Sequence, residues 1–277
     1  MTQWLSKKSS RNRTILGVVI LAGGLVVWKY HSRQPIRSRV LVAPRAVPAG
    51  SGQNYSTNFA VAEDPIWEGG KWLGGRAVGL DWSDVATLPG LAYGTESGSG
   101  TGDESYDDSI ALLSGSWGPD QTMEATVYSI NQNDWDLEEV ELRLRSTLAG
   151  HASTGYEILF RCLKTTAGYA SIVRWDGPLG KFTYLVQKEG LQFGVADGDV
   201  VKATIVKNVI TAYVNETPLM RATDSTYSSG NPGIGFWLRR RRGWRAWLRG
   251  RAANKTDYGF TSVVSWADSP VQLQPGK

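Results

Sequence analysis

Three acidic residues, Asp134, Asp136 and Glu138, carry the sharpest catalytic signal in the sequence. They occupy alternate positions, so an extended strand would place all three carboxylates on one face. Carboxylates held together in this way can act as a nucleophile or as a general acid and base. Catalysis is therefore one interpretation of this segment, and a solvated or metal-holding acidic turn is the other.

Two groups of oxygen-bearing side chains have the composition of a calcium site. One contains Asp103, Glu104, Asp107 and Asp108, and the other runs from Asn131 to Asp136. Calcium takes six to eight oxygen ligands from carboxylates, amides and carbonyls. We expect solvated loops at both places, with calcium on Asp103, Asp107 and Asp108 as the alternative, and the sequence points to no other cofactor.

Zinc and nucleophilic chemistry have little support. The chain contains two histidines, His31 and His151, and one cysteine, Cys162, which do not make a zinc ligand set. His151 lies in a Gly-Ser-Thr loop without a nucleophile-elbow motif, which argues against a Ser-His-Asp triad. Cys162 belongs to a strand-like run and is expected to be a small buried hydrophobic residue.

Aromatic residues offer a second kind of site. The sequence has 12 Trp and 11 Tyr, and Trp rings are common stacking platforms for sugars as well as core residues. We take four of them as candidate ligand contacts, each equally compatible with a place in the core: Trp135, Tyr156, Trp175 and Trp237.

Arginine and tryptophan alternate in a third candidate site, residues 237–251. Seven arginines and no acid lie between Arg239 and Arg251, and guanidinium groups make bidentate contacts with sulfate, phosphate or carboxylate. The alternative is a solvated basic loop that pairs with acidic side chains of its own domain. The candidate residues for an anionic ligand are Arg239, Arg240, Arg241, Arg242, Trp244, Arg245 and Trp247.

A net positive charge is found only in two short segments, whereas the rest of the chain is acidic. Residues 1–39 contain eight Lys and Arg and residues 239–251 contain seven, neither with an acid, whereas the rest has 15 basic residues against all 26 acids. The body of the chain is therefore acidic. This distribution disfavours a nucleic-acid partner, although the overall pI is basic.

An apolar segment follows the basic residues 1–13. Residues 14–28 carry no charge and precede Lys29 and Tyr30, and a membrane-spanning helix needs about 17 to 25 mainly apolar residues. No small-x-small cleavage site ends the run, which favours an uncleaved signal anchor over a cleaved signal peptide. We expect a transmembrane helix over residues 14–30.

Residues 31–57 are rich in Pro, Gly and Ser and predict a flexible linker. The remaining chain alternates apolar and polar residues in short runs, as in Val201, Ala203 and Ile205, with turn pairs such as Asn215-Glu216 between them. Such runs predict antiparallel hairpins. We expect an all-β antiparallel sandwich over residues 58–268 and a tail over 269–277.

Several segments resemble the concanavalin A-like lectin and glucanase superfamily, in particular its laminin-G-like jelly-roll domains. The resemblance covers roughly residues 58–266 and is carried mainly by 199–238, with TAYVN followed by ATDSTYSSGNPGIGF. Further matching segments are residues 106–115, 118–122, 139–145, 155–157 and 172–180. The resemblance implies a jelly-roll β-sandwich, a fold that serves lectins, glycanases and interaction modules alike.

Laminarinase- and lichenase-type members of that superfamily use a Glu-x-Asp-x-Glu strand, to which residues 134–138 are similar. Asp134 is one methylene shorter than the family's first glutamate, a displacement that an active constellation does not tolerate. The laminin-G-like pattern also places residues 131–136 in a loop. The resemblance therefore implies a non-catalytic module, with a glycoside hydrolase using Asp134, Asp136 and Glu138, or an assembly protein, as alternatives.

The sequence as a whole predicts a single-pass membrane protein that binds carbohydrate or another surface ligand. Basic residues are nearly equal in number on the two sides of residues 14–30, so orientation is not decided by charge. By analogy with lectin-like domains, we expect the β-sandwich to be extracytoplasmic. Its anionic partners are expected at the Arg- and Trp-rich segment.

Overall fold

The computed structural model describes residues 14–21, 24–31, 43–46, 52–132, 134–240 and 254–267. The chain divides into two compact units, residues 1–39 and residues 40–277. The predicted tails, residues 1–13 and 269–277, lie outside the described residues.

The first unit contains a two-stranded antiparallel hairpin. Strand β1 (Thr14–Leu21) pairs with β2 (Gly24–His31), in a register that sets Thr14 opposite His31 and Leu21 opposite Gly24. The helix expected over residues 14–30 is not confirmed. β-Branched Val and Ile residues prefer strands, and glycine disfavours a helix interior by about 1 kcal/mol. Among the described residues, no helix has the length and hydropathy needed to cross a membrane.

Within its described residues, the second unit contains fifteen strands, of which thirteen follow one continuous path of pairing and two pair beside it. They are β3 (Asn54–Thr57), β4 (Trp72–Gly74), β5 (Ser83–Leu88), β6 (Leu91–Gly94), β7 (Ser109–Leu113), β8 (Gln121–Ser129), β9 (Leu137–Ala149), β10 (Ala152–Arg161), β11 (Tyr169–Gly177), β12 (Phe182–Glu189), β13 (Val200–Val206), β14 (Val209–Val214), β15 (Thr217–Thr223), β16 (Asn231–Arg239) and β17 (Tyr258–Ala267). Beside the path, β3 pairs with β17 and β4 with β7. Short 3₁₀ helices span Arg76–Val78, Gly102–Tyr106, Leu191–Phe193 and Lys255–Asp257.

The path folds into two layers. The front sheet has the order β12-β11-β10-β9-β16-β7-β4, and the back sheet has the order β15-β14-β13-β8-β17, with β3 and β6 also on β17. Strand β5 pairs with β6 and, in parallel, with β7, and so connects the layers. The predicted all-β, jelly-roll-like antiparallel sandwich is confirmed. Strand β3, from the end of the stretch predicted as linker, belongs to it.

Alternation of side chains builds the core between the layers. Val140, Leu142 and Leu144 of β9 are fully buried in one cluster with Val201 and Ala203 of β13, and complete burial of a Val or Leu side chain contributes about 1.5–3 kcal/mol. The Asn215-Glu216 turn has positive φ at both residues, as a two-residue hairpin turn requires. The predicted alternation of β13 is therefore confirmed, and β9 packs against it in the same way.

The outer face of the front sheet is also covered, which a simple two-layer sandwich does not require. A second apolar cluster lies there, with Trp82, Leu159, Val173 and Trp175 buried and Phe182 packed against them. Strand β9 consequently has buried residues on both faces. The side chains that it presents on the outer face are charged, and they form the candidate site.

Candidate functional site

A groove on the outer face of the front sheet combines acidic and aromatic side chains. A narrow cavity of ≈ 50 Å³ and a larger cavity of ≈ 560 Å³ lie side by side, and Trp237 lines both. The acids of the narrow cavity are Asp108, Glu139 and Glu157, and its rings are Tyr106, Trp175, Phe182, Tyr184 and Trp237. We call this narrow part, with its side chains, the acidic groove.

Strand register brings these side chains together. Glu139, Glu141 and Arg143 alternate on β9, and Arg143 lies opposite Glu157 of β10. On the other side, β16 sets Trp237 opposite Glu139 and Gly235 opposite Glu141. A Cβ on Gly235 would lie 2.2 Å from Glu141 Oε2, so only glycine leaves room for this carboxylate.

Arg143 is the centre of the buried charges. Its Nη2 donates to Asp108 Oδ2 at 2.9 Å and to Glu141, and its Nη1 lies 2.8 Å from Glu157 Oε2. The guanidinium also lies 5.4 Å from the ring of Trp82, a cation–π contact. Burial opposes its charge, but the surrounding carboxylates more than compensate and raise the pKa of Arg143. The residue is therefore a permanent cation.

Glu139 differs from the other acids because it has no ion pair with Arg143 among those the structure describes. Tyr169 Oη donates a hydrogen bond to its carboxyl, and the Arg161 guanidinium lies over the Tyr169 ring at 5.5 Å. Burial raises the pKa of Glu139 to about 8, against the hydrogen bond from Tyr169. Glu139 is therefore largely protonated at neutral pH and can donate a proton or hydrogen bond.

Aromatic rings form the wall of the acidic groove. Trp175 donates its indole N–H to Glu157 and packs against Trp82 and Phe182, with ring centroids 4.3 and 4.9 Å away. Trp237 Nε1 donates to Ser105 O at 2.7 Å. Each indole is thus fixed in orientation by a hydrogen bond. Tyr184, by contrast, is 51% exposed at the mouth.

Two of the acids considered for calcium have partners among the described side chains. Asp108 pairs with Arg143, whereas Asp107 accepts from Ser83 Oγ at 3.1 Å and lines the larger cavity. The side chain of Asp103 lies outside the described residues. Ligand oxygens of Asp108, Glu141 and Glu157 lie within 4.8 Å of one another, but the Arg143 guanidinium already supplies the cation between them. These residues do not fit a metal ion.

The candidate ligand contacts separate into three groups. Trp175 and Trp237 line the acidic groove, whereas Trp135 is half-buried in the bend before β9. Tyr156 lies opposite Leu144, is fully buried in the core and does not line the groove.

The Arg- and Trp-rich segment is described only at its beginning. Arg239 lines the larger cavity, and the backbone N–H of Arg240 donates to Gly98 O at 2.9 Å. The remaining predicted residues of this segment, Arg241, Arg242, Trp244, Arg245 and Trp247, lie outside the described residues.

The alternative catalytic set is not assembled in the groove. Glu138 lies opposite Leu238, on the inner face, and accepts a hydrogen bond from Asn131 Nδ2 at 3.1 Å. Asp136 is buried and Asp134 is exposed in the preceding bend. The outer face instead carries Glu139 and Glu141, one position along the chain. The alternation of Glu139, Glu141 and Arg143 is the sequence signal for this charged face.

No protein-family model and no curated protein sequence matches this chain. Several solved structures are similar to it. The carbohydrate-binding module CBM66 from Bacillus subtilis aligns with 16% identity and a TM-score of 0.44, over 61% of this chain and 92% of its own. A prokaryotic β-1,3-1,4-glucanase (lichenase) from a mouse hindgut metagenome aligns with 13% identity and a TM-score of 0.45, over 79% and 100%.

The Emp46p carbohydrate recognition domain aligns with 12% identity and a TM-score of 0.47, over 78% of this chain and 97% of its own. These are proteins of the kinds that the sequence resemblance implied. At such identities and TM-scores, we draw no conclusion about ligand or activity from them. The functional conclusion depends on the geometry of the groove.

Proposed function

We propose that this protein is a carbohydrate-binding module whose ligand lies in the acidic groove. The observation that carries the proposal is the convergence of fixed indole rings and buried carboxyl groups on one sheet face. Aromatic faces pack against the C–H surfaces of sugar rings, while carboxyl oxygens accept hydrogen bonds from sugar hydroxyls. Few other ligands present both surfaces together.

Charge within the groove supports a neutral ligand. Arg143 neutralises part of the charge of Asp108, Glu141 and Glu157, and Glu139 holds a proton near neutral pH. Hydroxyl groups can then pair with the remaining acceptors without bringing a further charge into a buried site, where an unpaired charge is costly. The proposed ligand is therefore a neutral glycan.

A pair of matched tyrosines tests this proposal. Tyr184 is exposed at the mouth of the groove, and Tyr213 lies on the outer face of the back sheet over Lys202. The full chain would be probed on a glycan array and then titrated with the best neutral oligosaccharide by calorimetry. Tyr184→Ala should weaken binding by about 5-fold or more, as expected for a lost stacking contact of about 1 kcal/mol. Tyr213→Ala should not. Equal effects would contradict the proposal.

Hydrolysis of the bound glycan is a second candidate, favoured by one observation. Glu139 is a buried carboxyl with a pKa of about 8, which suits a general acid at neutral pH. It would protonate the glycosidic oxygen as the bond from that oxygen to the anomeric carbon breaks, while a carboxylate of the same cluster forms an ester with the anomeric carbon. Water, deprotonated by Glu139, would then hydrolyse the ester and restore both carboxyl groups. Ion pairs with Arg143 hold Asp108, Glu141 and Glu157, and for that reason binding without hydrolysis is the better-supported function.

Release of reducing ends from neutral β-glucans distinguishes the two functions. Activity in the wild type that Glu139→Gln abolishes and Glu138→Gln preserves would establish hydrolysis. Binding without any release of reducing ends would establish the binding module.

The apolar segment of residues 14–30 is proposed to tether this module to a membrane, with the sandwich outside. Support comes from the basic residues before the segment and from the uncharged run itself. The full chain should remain in the membrane pellet after alkaline carbonate extraction. Release into the supernatant at unreduced mass would contradict the tether.

The Arg- and Trp-rich segment is proposed as a separate contact for anionic partners. Seven arginines in thirteen residues should bind polyanions in a salt-dependent manner, because exposed charges are screened beyond about 8 to 10 Å at physiological salt. Binding to heparin should therefore fall steeply with added salt. Replacement of Arg239 to Arg242 by Ser should remove most of it, and unchanged heparin binding would refute this contact.

A further inference from the structure

The larger cavity, of ≈ 560 Å³, shares Trp237 with the acidic groove. We propose that it is a second binding subsite, which holds one neutral, hydroxyl-bearing sugar unit of the glycan whose neighbouring units lie in the acidic groove. The inference rests on the proposed carbohydrate function and adds to it a defined position and a charge preference for the ligand.

Three elements enclose the cavity. Residues 96–100 and the 3₁₀ helix Gly102–Tyr106, with Asp107 after it, form one side. Leu179, in the turn between β11 and β12, lies on another, and the end of β16 supplies Trp237 and Arg239. The volume is within the range of small-molecule sites, about 300–1,000 Å³. It is therefore large enough for a sugar unit.

Trp237 connects the two cavities. Its side chain lines both of them, and its indole N–H is held by Ser105 O. A ring fixed in this way offers a preformed apolar surface, so binding does not require it to be ordered. A glycan chain that contacts Trp237 can therefore place successive units on its two sides.

Asp107 supplies an unused acceptor. Its Oδ2 accepts from Ser83 Oγ, whereas its Oδ1 is buried and accepts no hydrogen bond within the described part of the chain. Leaving a buried polar atom without a partner costs about 1–3 kcal/mol. Oδ1 itself has almost no accessible surface, so a ligand hydroxyl would donate instead to the second lone pair of Oδ2. With Asp107 on its wall, the cavity then offers a hydrogen-bond acceptor as well as an apolar surface.

The other acids of the cavity are already engaged. Glu96 accepts from Ser109 Oγ and from Tyr258 Oη, and burial raises the pKa of its carboxyl. Asp81 lies 2.9 Å from His151 Nδ1. The carboxylate of Asp107 disfavours an anionic unit, and the guanidinium of Arg239 at the cavity wall disfavours a cationic one. A neutral unit is the class that remains.

The subsite is tested by combining ligands of different length with a substitution of Asp107. The full chain would be titrated by calorimetry with neutral β-glucan oligosaccharides of increasing length. The wild type should gain affinity once the oligosaccharide is long enough to pass Trp237. Asp107→Ala should lose about 10-fold of the affinity for the long ligand, as expected for a hydrogen bond to a charged group, and none for the short one. Exposed Asp134 provides the matched control, Asp134→Ala.

A second variant covers the case in which Asp107→Ala fails to fold. Leu179→Trp would fill the cavity from the turn between β11 and β12 and should likewise remove only the gain of the long ligand. Equal affinities of both variants and the wild type for the long ligand would overturn the subsite.

Matched oligomers of glucosamine and of galacturonic acid test the charge class. Both charged oligomers should bind more weakly than the neutral oligosaccharide of the same length. Tighter binding of either charged oligomer would overturn the proposal that the subsite holds a neutral sugar unit. If no oligosaccharide of any length binds, the carbohydrate function itself fails and the subsite with it. Length-independent binding that remains sensitive to Tyr184→Ala overturns the subsite alone.

Discussion

The protonated carboxyl of Glu139 should make the stability of the sandwich fall as pH rises. Burial raises its pKa in the folded protein to about 8 from an ordinary value of 4.5. Below pH 4.5 the Glu139 carboxyl is protonated in the folded and the unfolded chain alike, and its contribution to stability is fully present. Between the two values the unfolded chain ionises while the folded protein keeps its proton. The free energy of unfolding therefore falls by about 1.4 kcal/mol per pH unit.

The total loss of unfolding free energy between low and high pH follows from the difference between the folded and unfolded pKa of Glu139. About 3.5 pKa units correspond to about 5 kcal/mol at 1.36 kcal/mol per unit, a large part of the 5–15 kcal/mol typical of a folded domain. Above about pH 8 the group is ionised in both states, and its contribution to the slope ends. Burial also raises the pKa of Asp108 and of Glu141, so the wild-type slope includes these neighbours.

Glu139→Gln isolates the contribution of Glu139, because glutamine resembles the protonated acid and can still accept from Tyr169. Urea unfolding between about pH 5 and pH 8 should show a shallower slope for this variant than for the wild type, by about 1.4 kcal/mol per unit. Glu189→Gln, an exposed change in β12, is the control and should follow the wild type. Parallel curves for the wild type and Glu139→Gln would refute a buried protonated carboxyl.

Two further substitutions test the packing around Arg143. Arg143→Met should lower the free energy of unfolding by about 3–5 kcal/mol, because it leaves buried carboxylates without their cation. Urea unfolding should show that this loss of stability becomes smaller at low pH, where the carboxylates are protonated. A loss of stability that does not change with pH would contradict this explanation. Gly235→Ala should lower the free energy of unfolding by about 1–3 kcal/mol, as overpacking does, because the new Cβ would meet the Glu141 carboxylate. Gly150→Ala is the control, since the atom nearest to a Cβ at Gly150 lies 3.8 Å away. Equal melting temperatures for Gly235→Ala and Gly150→Ala would show that the contact at Gly235 is not limiting.

The fold was accessible from the sequence because local patterns determine it. Alternation in β13 and the turn at Asn215-Glu216 predict hairpins that the structure contains. The apolar run of residues 14–30 fits a helix by hydropathy, but its Val, Ile and Gly content also fits the strands that the structure has there. Composition alone does not separate these two outcomes.

The candidate site was less accessible because it depends on contacts between distant segments. Asp108, Arg143 and Glu157 meet only through the pairing of several strands, and no local motif joins them. Asp134, Asp136 and Glu138 have the spacing of a catalytic strand, yet β9 begins at Leu137 and directs Glu138 inward. A shift of one residue moves every side chain to the other face, and the buried alternation of Val140, Leu142 and Leu144 sets the register that directs Glu138 inward.

A structure determined with a neutral β-glucan oligosaccharide bound tests the carbohydrate proposal most directly. Sugar rings should contact Tyr184 and Trp237, with one hydroxyl within hydrogen-bonding distance of Glu139 and another of Asp107. A ligand bound instead to the back sheet around Tyr213, with the acidic groove empty, would contradict the proposed function.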